Sequence, residues 1–477
     1  MHLDCTPIEQ IENFGCETIM FGKIKKLYFV GIGGAGMSGI AEILHNLGYT
    51  IKGSDNSPSS VTEYLHNLGI TIYNEQIADN VSDADVVVIS SAISKDNPEV
   101  KKANELGIPV IKRAEMLGEL MRLKFSIGVA GTHGKTSTTS MIGRIVQLAD
   151  LKPTIIVGGI VAELGTGASL GSGDYLIAEA DEYDKSFLAM YPSIAVITNL
   201  EADHLDCYDG LEDLKNSFLS FMNRVPFYGS VILSADDENL MKLRPHLNRP
   251  SSTFGFTVES DYRAVNVKSA NGQSVFSVYH NEDLLGEAVL NVPGRYNVSN
   301  ALAAIATCHQ IEIPFEVIAD ALRQFKGVGR RFERVAEIND ILLFDDYAHH
   351  PTEVKATLEM AKNEYKRRII VVFQPHLFSR TKEFAEKFAE VLAIADKCIL
   401  TDIYPAREKP IEGVTSELIL KYANEMKIGD FEYVGKKRNA PDKVLEIAQS
   451  GDLIITMGAG SITHIKNEIS EGLHIID

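Results

Sequence analysis

At 477 residues the chain is too long for one ordinary hydrophobic core and predicts about three domains. Its 46 Lys and Arg against 65 Asp and Glu leave a formal net charge of -19, which repels a polyanion except at local basic sites and excludes a non-specific nucleic-acid binder. The five cysteines, Cys5, Cys16, Cys207, Cys308 and Cys398, are scattered without a C-x-x-C pair, which fits neither a disulfide framework nor a zinc site and points to a reducing cytosol.

The opening stretch "MHLDCTPIEQIENFGCETIM" has no basic leader followed by an apolar run, and no later stretch has the length and apolarity of a membrane span. A soluble cytoplasmic protein without membrane insertion is expected. From Lys25 the pattern "KKLYFVGIGGAGMSGIAEILHNLGYTIKGSD" reads as strand, glycine turn, helix and strand, a βαβ unit ending at Asp55. "ADVVVISSAI" and "IPVIKRAEML" predict two more strands of a small parallel sheet. The first domain is placed at residues 1–122.

The second, 123–328, opens at "KFSIGVAGTHGKT". Its continuous apolar runs "TIIVGG", "DYLIAEADEYD", "SIAVITNLEADHLD" and "GSVILSADDEN" predict buried parallel strands. Between about 252 and 292 the texture changes to period-2 alternation with an Asn-Gly turn signal, which predicts an antiparallel insertion. "RYNVSNALAAIATCHQ" reads as a helix. The third segment, 329–477, alternates again through "ILLFDDYAHHPTEV", "RRIIVVFQPH", "KCILTDIYPA", "FEYVG" and "GDLIITMGAGS", a further doubly wound sheet. The fold class is therefore α/β, in three domains.

Two glycine loops carry the chemistry. "GVAGTHGKTSTT" departs from the strict G-x-x-x-x-G-K-[ST] spacing by one residue, yet it leads an apolar strand through a glycine turn into a helix. Free N–H groups and the helix dipole there favour a phosphate; Gly131 and Gly134 admit close approach, Lys135 supplies positive charge, and Thr136 offers a hydroxyl to Mg2+. An acid is needed nearby. Glu179, delivered to the carboxyl edge of the sheet by the run Tyr175 to Ala178, supplies it, while Asp181 and Glu182 read as solvated loop acids. "AVITNLEADHLD" repeats the design, bringing Asp203, His204 and Asp206 to a strand end, with His204 a candidate metal ligand. The other loop, "GIGGAGMSG", matches G-x-G-x-x-G through Gly31, Gly33 and Gly36 with Asp55 one strand on, a dinucleotide fingerprint. The two loops together leave two readings open: a dehydrogenase fused to an ATPase, or an enzyme that spends ATP on a nucleotide-bearing substrate.

In order along residues 29–414 stand "FVGIGGAGMSGIAEIL", "RAEMLGELMR", "AGTHGKTSTT", "IAEADE", "TNLEADHLD", "PGRYN", "GVGRRFE", "DDYAHHPTEV", "FQPHLFSRT" and "DIYPAREKPIEGV". Together they closely resemble the Mur ligase family of bacterial peptidoglycan synthesis, and within it the members that join L-alanine to UDP-N-acetylmuramate. The resemblance implies three domains: an N-terminal Rossmann-like domain for the UDP-sugar, a central P-loop ATPase-type domain with the antiparallel insertion, and a C-terminal Rossmann-like domain for the amino acid. It implies an ATP- and Mg2+-dependent ligase acting through an acyl phosphate, with UDP-N-acetylmuramate and L-alanine as its partners, and a monomer or homodimer.

The same resemblance distributes roles. ATP would be held by Gly131, Thr132, His133, Gly134, Lys135, Thr136 and Ser137, with Asn297 and Asn300 at the adenine end, Arg331 at the γ-phosphate and Asp346 at the ribose. Magnesium would take Thr136, Glu179 and His204. The UDP-sugar would lie on Gly33, Gly34, Ala35, Gly36, Met37, Ser38, Asp55, Ser91 and Ala92, and the amino acid near Tyr347, His350, His376 and Arg380. Lys135, Glu179, His204, Arg331 and His349 would act on the reaction. Four departures stand out: Tyr183 in place of a small residue, Tyr296 in place of a histidine, Leu377 where some relatives carry a second arginine, and no lysine assignable to the carbamylated role seen in several Mur ligases. Rival functions are a recycling ligase that adds a whole tripeptide to the same sugar nucleotide and, in another class, an NAD-dependent oxidoreductase.

Overall fold

The computed structural model describes residues 22–90, 92–157, 168–202, 207–270, 272–406 and 408–475. The chain divides into two units, Met1–Arg113 and Ala114–Asp477. In the first, β1 (Lys26–Val30), β2 (Thr50–Ser54), β3 (Thr71–Tyr73), β4 (Val86–Ile89) and β5 (Val110–Lys112) form one sheet in the order β3-β2-β1-β4-β5. Every pair is parallel. Four of the five residues of β1 are buried, which accounts for the unbroken apolar run. The order reverses between β1 and β4, so the crevice at their carboxyl ends is the ligand position such a sheet offers. "IPVIKRAEML" is not all strand as expected: the chain turns directly from β5 into the helix Arg113–Met121.

The second unit carries two sheets. The first has ten strands: β6 (Phe125–Ala130), β7 (Thr154–Ile156), β8 (Ala168–Ser169), β9 (Tyr175–Glu179), β10 (Ile194–Ile197), β11 (Ser230–Ser234), β12 (Ser251–Gly255), β13 (Tyr262–Ala270), β14 (Gln273–His280) and β15 (Asp283–Leu290). They run β15-β14-β13-β12-β11-β10-β6-β9-β7-β8. The expected antiparallel insertion is β13 to β15, which extends the parallel sheet through β12 instead of standing apart from it. The helices Lys135–Leu148 and Arg295–Gln310 pack on this sheet, burying Ile142, Ile145, Leu302 and Ile305 against Ile127, Val129 and Ile177. Each such side chain contributes roughly 1.5–3 kcal/mol by leaving water.

The last sheet runs β16-β17-β21-β18-β19-β20. Its strands are β16 (Glu333–Ile338), β17 (Ile341–Asp346), β18 (Arg368–Phe373), β19 (Lys397–Thr401), β20 (Phe431–Gly435) and β21 (Asp452–Met457). All pairs are parallel except β16, an antiparallel edge on β17 that the sequence pattern did not announce. Leu453 and Ile455 face one apolar layer and Ile454 the other, so both faces of the central strand β21 are covered.

Candidate active site

The loop after β6 reaches the helix Lys135–Leu148 through two glycines whose backbones need positive φ. Gly131 has φ +134° and Gly134 φ +84°. A Cβ on Gly131 would come within 2.1 Å of Thr198 Oγ1, and one on Gly134 within 2.4 Å of Asn300 Oδ1, so only glycine fits either place. Asn199 pins the loop, its Oδ1 accepting the His133 N–H at 2.8 Å and its Nδ2 donating to the His133 carbonyl at 3.0 Å. Thr136 and Ser137 stand nearly buried in the first turn. The result is an open cradle of backbone at a helix N-terminus.

Lys135 folds back over that cradle. Its ammonium donates to the carbonyls of Gly131 at 2.6 Å and Thr132 at 3.3 Å, and to both oxygens of Glu182 at 3.0 and 2.8 Å. Glu182 is 2% exposed, which corrects the reading of it as a solvated loop acid. Burial pushes its carboxyl up, against the pull of Lys135. An acid this deep is kept by its cation, so the two charges hold each other in place. Glu179 ends β9 opposite Val129 of β6, the strand-edge position expected for it. His204 and its neighbours Asp203 and Asp206 lie outside the described residues, as does Ser91.

The C-terminal sheet meets this loop. Asp346 closes β17, its two oxygens accepting the N–H groups of Phe332 and Ala348, each at 2.7 Å. Burial pushes its carboxyl up to about 7 despite those hydrogen bonds. The guanidinium of Arg331 sits over the Tyr347 ring at 5.0 Å. The helix Pro351–Tyr365 follows, with His350 at its N-cap and Glu353 completing a capping box. Glu353 Oε1 lies 3.0 Å from His133 Nδ1, joining the helix to the phosphate loop. A cleft of about 870 Å³ opens here, lined by His133, Ser137, Asn300, Tyr296, Arg331 and Asp346 among others, a volume ordinary for a nucleotide-sized ligand. Asn297 is buried, its Nδ2 donating to the Pro293 carbonyl at 2.7 Å.

The histidines cluster at the carboxyl edge of the same sheet. The rings of His349 and His376 are 5.6 Å apart, and His376 stacks on Tyr404 at 5.8 Å. Arg380 is buried in the first turn of the helix Phe378–Leu392. Leu377 caps that helix at φ +69°, a strained backbone for a leucine. Strain of this kind collects where function fixes the chain.

In the first unit, Gly34 caps the helix Ala35–Asn46, and Gly33, Gly36, Met37 and Ser38 line the turn and first turns. Met37 points into the core, so its offer to a ligand is backbone. Asp55 is not a free acid: Oδ2 accepts the Gly33 N–H and Oδ1 that of Ser57, each at 2.9 Å. The guanidinium of Arg113 packs against Gly36, its Nη1 2.8 Å from where a Cβ would stand, and brings a cation to the helix start that sequence spacing did not single out. Ala92 is exposed.

Sequence reasoning missed Glu182, Asn199 and Glu353. The capping-box spacing in "HHPTE" was a signal for Glu353. Nothing in the chain marks a Lys–Glu pair that is 47 residues apart.

Three α/β sheets, a glycine-lined helix N-terminus with its lysine, and a strand-end carboxylate together define a nucleotide-using α/β enzyme. Family models match nearly all of it: Mur ligase family, catalytic domain over residues 26–125; Mur ligase middle domain over 129–308; and Mur ligase, glutamate ligase domain over 330–460. The chain belongs to the Mur ligase family. It is 48% identical over 95% of its length to the UDP-N-acetylmuramate--L-alanine ligase of Geotalea uraniireducens, covering 99% of that protein. The corresponding ligase of Sulfurihydrogenibium sp. is 47% identical over 95% of the chain and 98% of its own. Among solved structures, the UDP-N-acetylmuramate-alanine ligase of Thermotoga maritima superposes with a TM-score of 0.79 at 29% identity, covering 94% of this chain and 98% of that one. A murein peptide ligase from Psychrobacter arcticus follows at a TM-score of 0.70 and 25% identity, over 95% and 99%.

Proposed function

We propose that the chain joins L-alanine to the lactyl carboxylate of UDP-N-acetylmuramate at the expense of ATP, in the cytoplasm, as a step of peptidoglycan precursor synthesis. The observation that carries this is the 48% identity to an L-alanine ligase over 95% of the chain. The tripeptide-adding reading has weaker support, from a UDP-N-acetylmuramate:L-alanyl-gamma-D-glutamyl-meso-diaminopimelate ligase of Neisseria meningitides that is 29% identical over 64% of this chain at a TM-score of 0.59. In this reading the glycine loop of the first unit takes a UDP diphosphate and no nicotinamide, which sets the oxidoreductase aside.

A carboxylate at neutral pH is a poor electrophile and must be activated. The lactyl carboxylate attacks the γ-phosphate of ATP, forming an acyl phosphate and releasing ADP; the amine of L-alanine then attacks the acyl carbon, and phosphate leaves as the amide forms. The phosphate loop fits its nucleotide: Gly131 and Gly134 turn it at positive φ where no Cβ fits, leaving backbone at a helix N-terminus, and the hydroxyl of Thr136 and the carboxylate of Glu179 are the oxygen donors that magnesium prefers. Mg2+ held by Thr136, Glu179 and His204 would offset charge on the transferring phosphoryl group. Lys135 and Arg331 hold phosphate oxygens, Asn297 and Asn300 face the adenine, and Asp346 the ribose. Gly33, Gly34, Ala35, Gly36, Met37, Ser38, Asp55, Ser91 and Ala92 form the UDP-sugar site, where backbone N–H groups meet the diphosphate.

The amine has to lose a proton to attack. His349, with His350 and His376 beside it, is the acceptor, and Arg380 takes the alanine carboxylate with Tyr347 alongside. Phosphate release with UDP-N-acetylmuramate and ATP, read against L-alanine, glycine, L-serine and the tripeptide, tests class and acceptor together. L-alanine should give the highest kcat/KM; preference for the tripeptide would overturn the assignment.

A further inference from the structure

Glu353 does more than cap a helix. Its Oε2 accepts the N–H groups of His349 at 3.0 Å and His350 at 3.2 Å, which completes the cap, and lies 3.2 Å from His349 Nδ1. Its Oε1 is not needed for capping and reaches across to His133 of the phosphate loop at 3.0 Å. Beyond the His133 ring, Nε2 is 3.7 Å from Glu201 Oε2, which also accepts the Thr352 hydroxyl at 3.1 Å. The carboxylate is 13% exposed and the His133 side chain 16%. A single buried carboxylate thus bridges the loop that cradles phosphate and the histidine assigned to the amine.

We propose that Glu353 is a positioning residue that couples the phosphate loop to the amine-accepting side: one oxygen seats His133 and the other seats His349, so that occupancy of the loop and placement of His349 depend on each other. The proposal rests on the functional reading above. Electrostatics agree with it. Burial opposes a charge on His133, but Glu353 and Glu201 outweigh it and hold the ring protonated up to about 9. Burial would also raise Glu353, yet its interactions with His349 and His133 keep it well below the ordinary carboxylate range. His133, Glu201 and His350 also bring potential metal-ligand atoms within 4.8 Å of one another. A tetrahedral ion with bonds of about 2.0 Å would draw its donors to roughly 3.3 Å, whereas the ionic bridge needs no movement.

Glu353→Gln keeps an acceptor for both cap N–H groups and removes the charge, so the helix should still form. Steady-state ligation by the full chain should show the KM for ATP raised and kcat lowered, each by about tenfold, because charge-assisted hydrogen bonds to two partners are lost. Far-UV circular dichroism should stay close to wild type, while Tm should fall by a few degrees as the buried His133–Glu353 charge pair is lost. The coupling itself is read from crossed effects. His133→Asn, a change on the loop side, should raise the KM for L-alanine as well as that for ATP, and adding it to Glu353→Gln should move either constant by no more than about twofold. If Glu353→Gln does not fold, the crossed effect of His133→Asn decides alone. Wild-type constants in Glu353→Gln, effects of His133→Asn confined to ATP, or full additivity of the pair would overturn the proposal. Inhibition of wild type by phenanthroline in excess magnesium would replace it with a transition-metal site. If wild type ligates no amine at all, the functional reading fails; the coupling is then read from ATP titrations, where non-additive weakening by the two substitutions supports the His133–Glu353 bridge and additive weakening overturns it.

Discussion

Lys135 is held by Glu182 and by the Gly131 and Thr132 carbonyls, which keeps a buried cation paired. Lys135→Ala should abolish ligation while leaving the affinity for UDP-N-acetylmuramate, measured by titration calorimetry, within a few-fold of wild type; loss of sugar-nucleotide binding in the folded variant would mean that two sites had been merged. Glu179→Gln keeps the shape and removes one negative charge from the proposed magnesium, so a magnesium titration of activity should shift to higher concentration and a lower plateau. An unchanged titration would make Glu179 a structural acid. Arg380 is buried at the head of its helix, where a planar fork suits a carboxylate better than a point charge does. Arg380→Lys should therefore raise the KM for L-alanine far more than that for ATP; equal effects would move Arg380 to the phosphates.

The strand-loop-helix around Lys135 is where element and function join most tightly. Gly134→Ala would force an alanine to φ +84° and press its Cβ against Asn300, a strain of about 1–3 kcal/mol by itself. Urea denaturation should show that loss, and the KM for ATP should rise with it; a normal KM would mean that the loop tolerates the methyl group. Much of this element was legible in advance, because glycine, lysine and helix period occur within a dozen residues of one another. So were Glu179 at its strand end and the antiparallel insertion, both announced by local apolar pattern. The edge strand β16 was not: its burial alternates weakly beside a well-buried β17, and pairing partners are not written in a single strand. Nor was Glu182, since acids in a loop read as solvated until the fold brings Lys135 to them. Asp55 was found, but its carboxylate serves the glycine turn by accepting the Gly33 N–H, a local role that sequence does not separate from ligand contact.

At the scale of the whole molecule, stability should carry the mark of His133. Its folded-state pKa of about 9 lies above the ordinary 6.5, so the protonated ring stabilises the fold fully below pH 6.5, and the contribution disappears as pH rises through 9. Wild type should accordingly lose roughly 1–3 kcal/mol more than His133→Asn between pH 6 and 9.5 in chemical denaturation; parallel curves would show that the ring is not held charged. The larger claim is that this Mur ligase chain spends ATP to activate a sugar-borne carboxylate for L-alanine. Oxygen transfer tests it most directly. With 18O in the lactyl carboxylate of UDP-N-acetylmuramate, turnover with ATP and L-alanine should yield ADP and inorganic phosphate carrying one 18O atom, since the carboxylate oxygen leaves with the phosphoryl group. Unlabelled phosphate, or label appearing in AMP, would contradict the account.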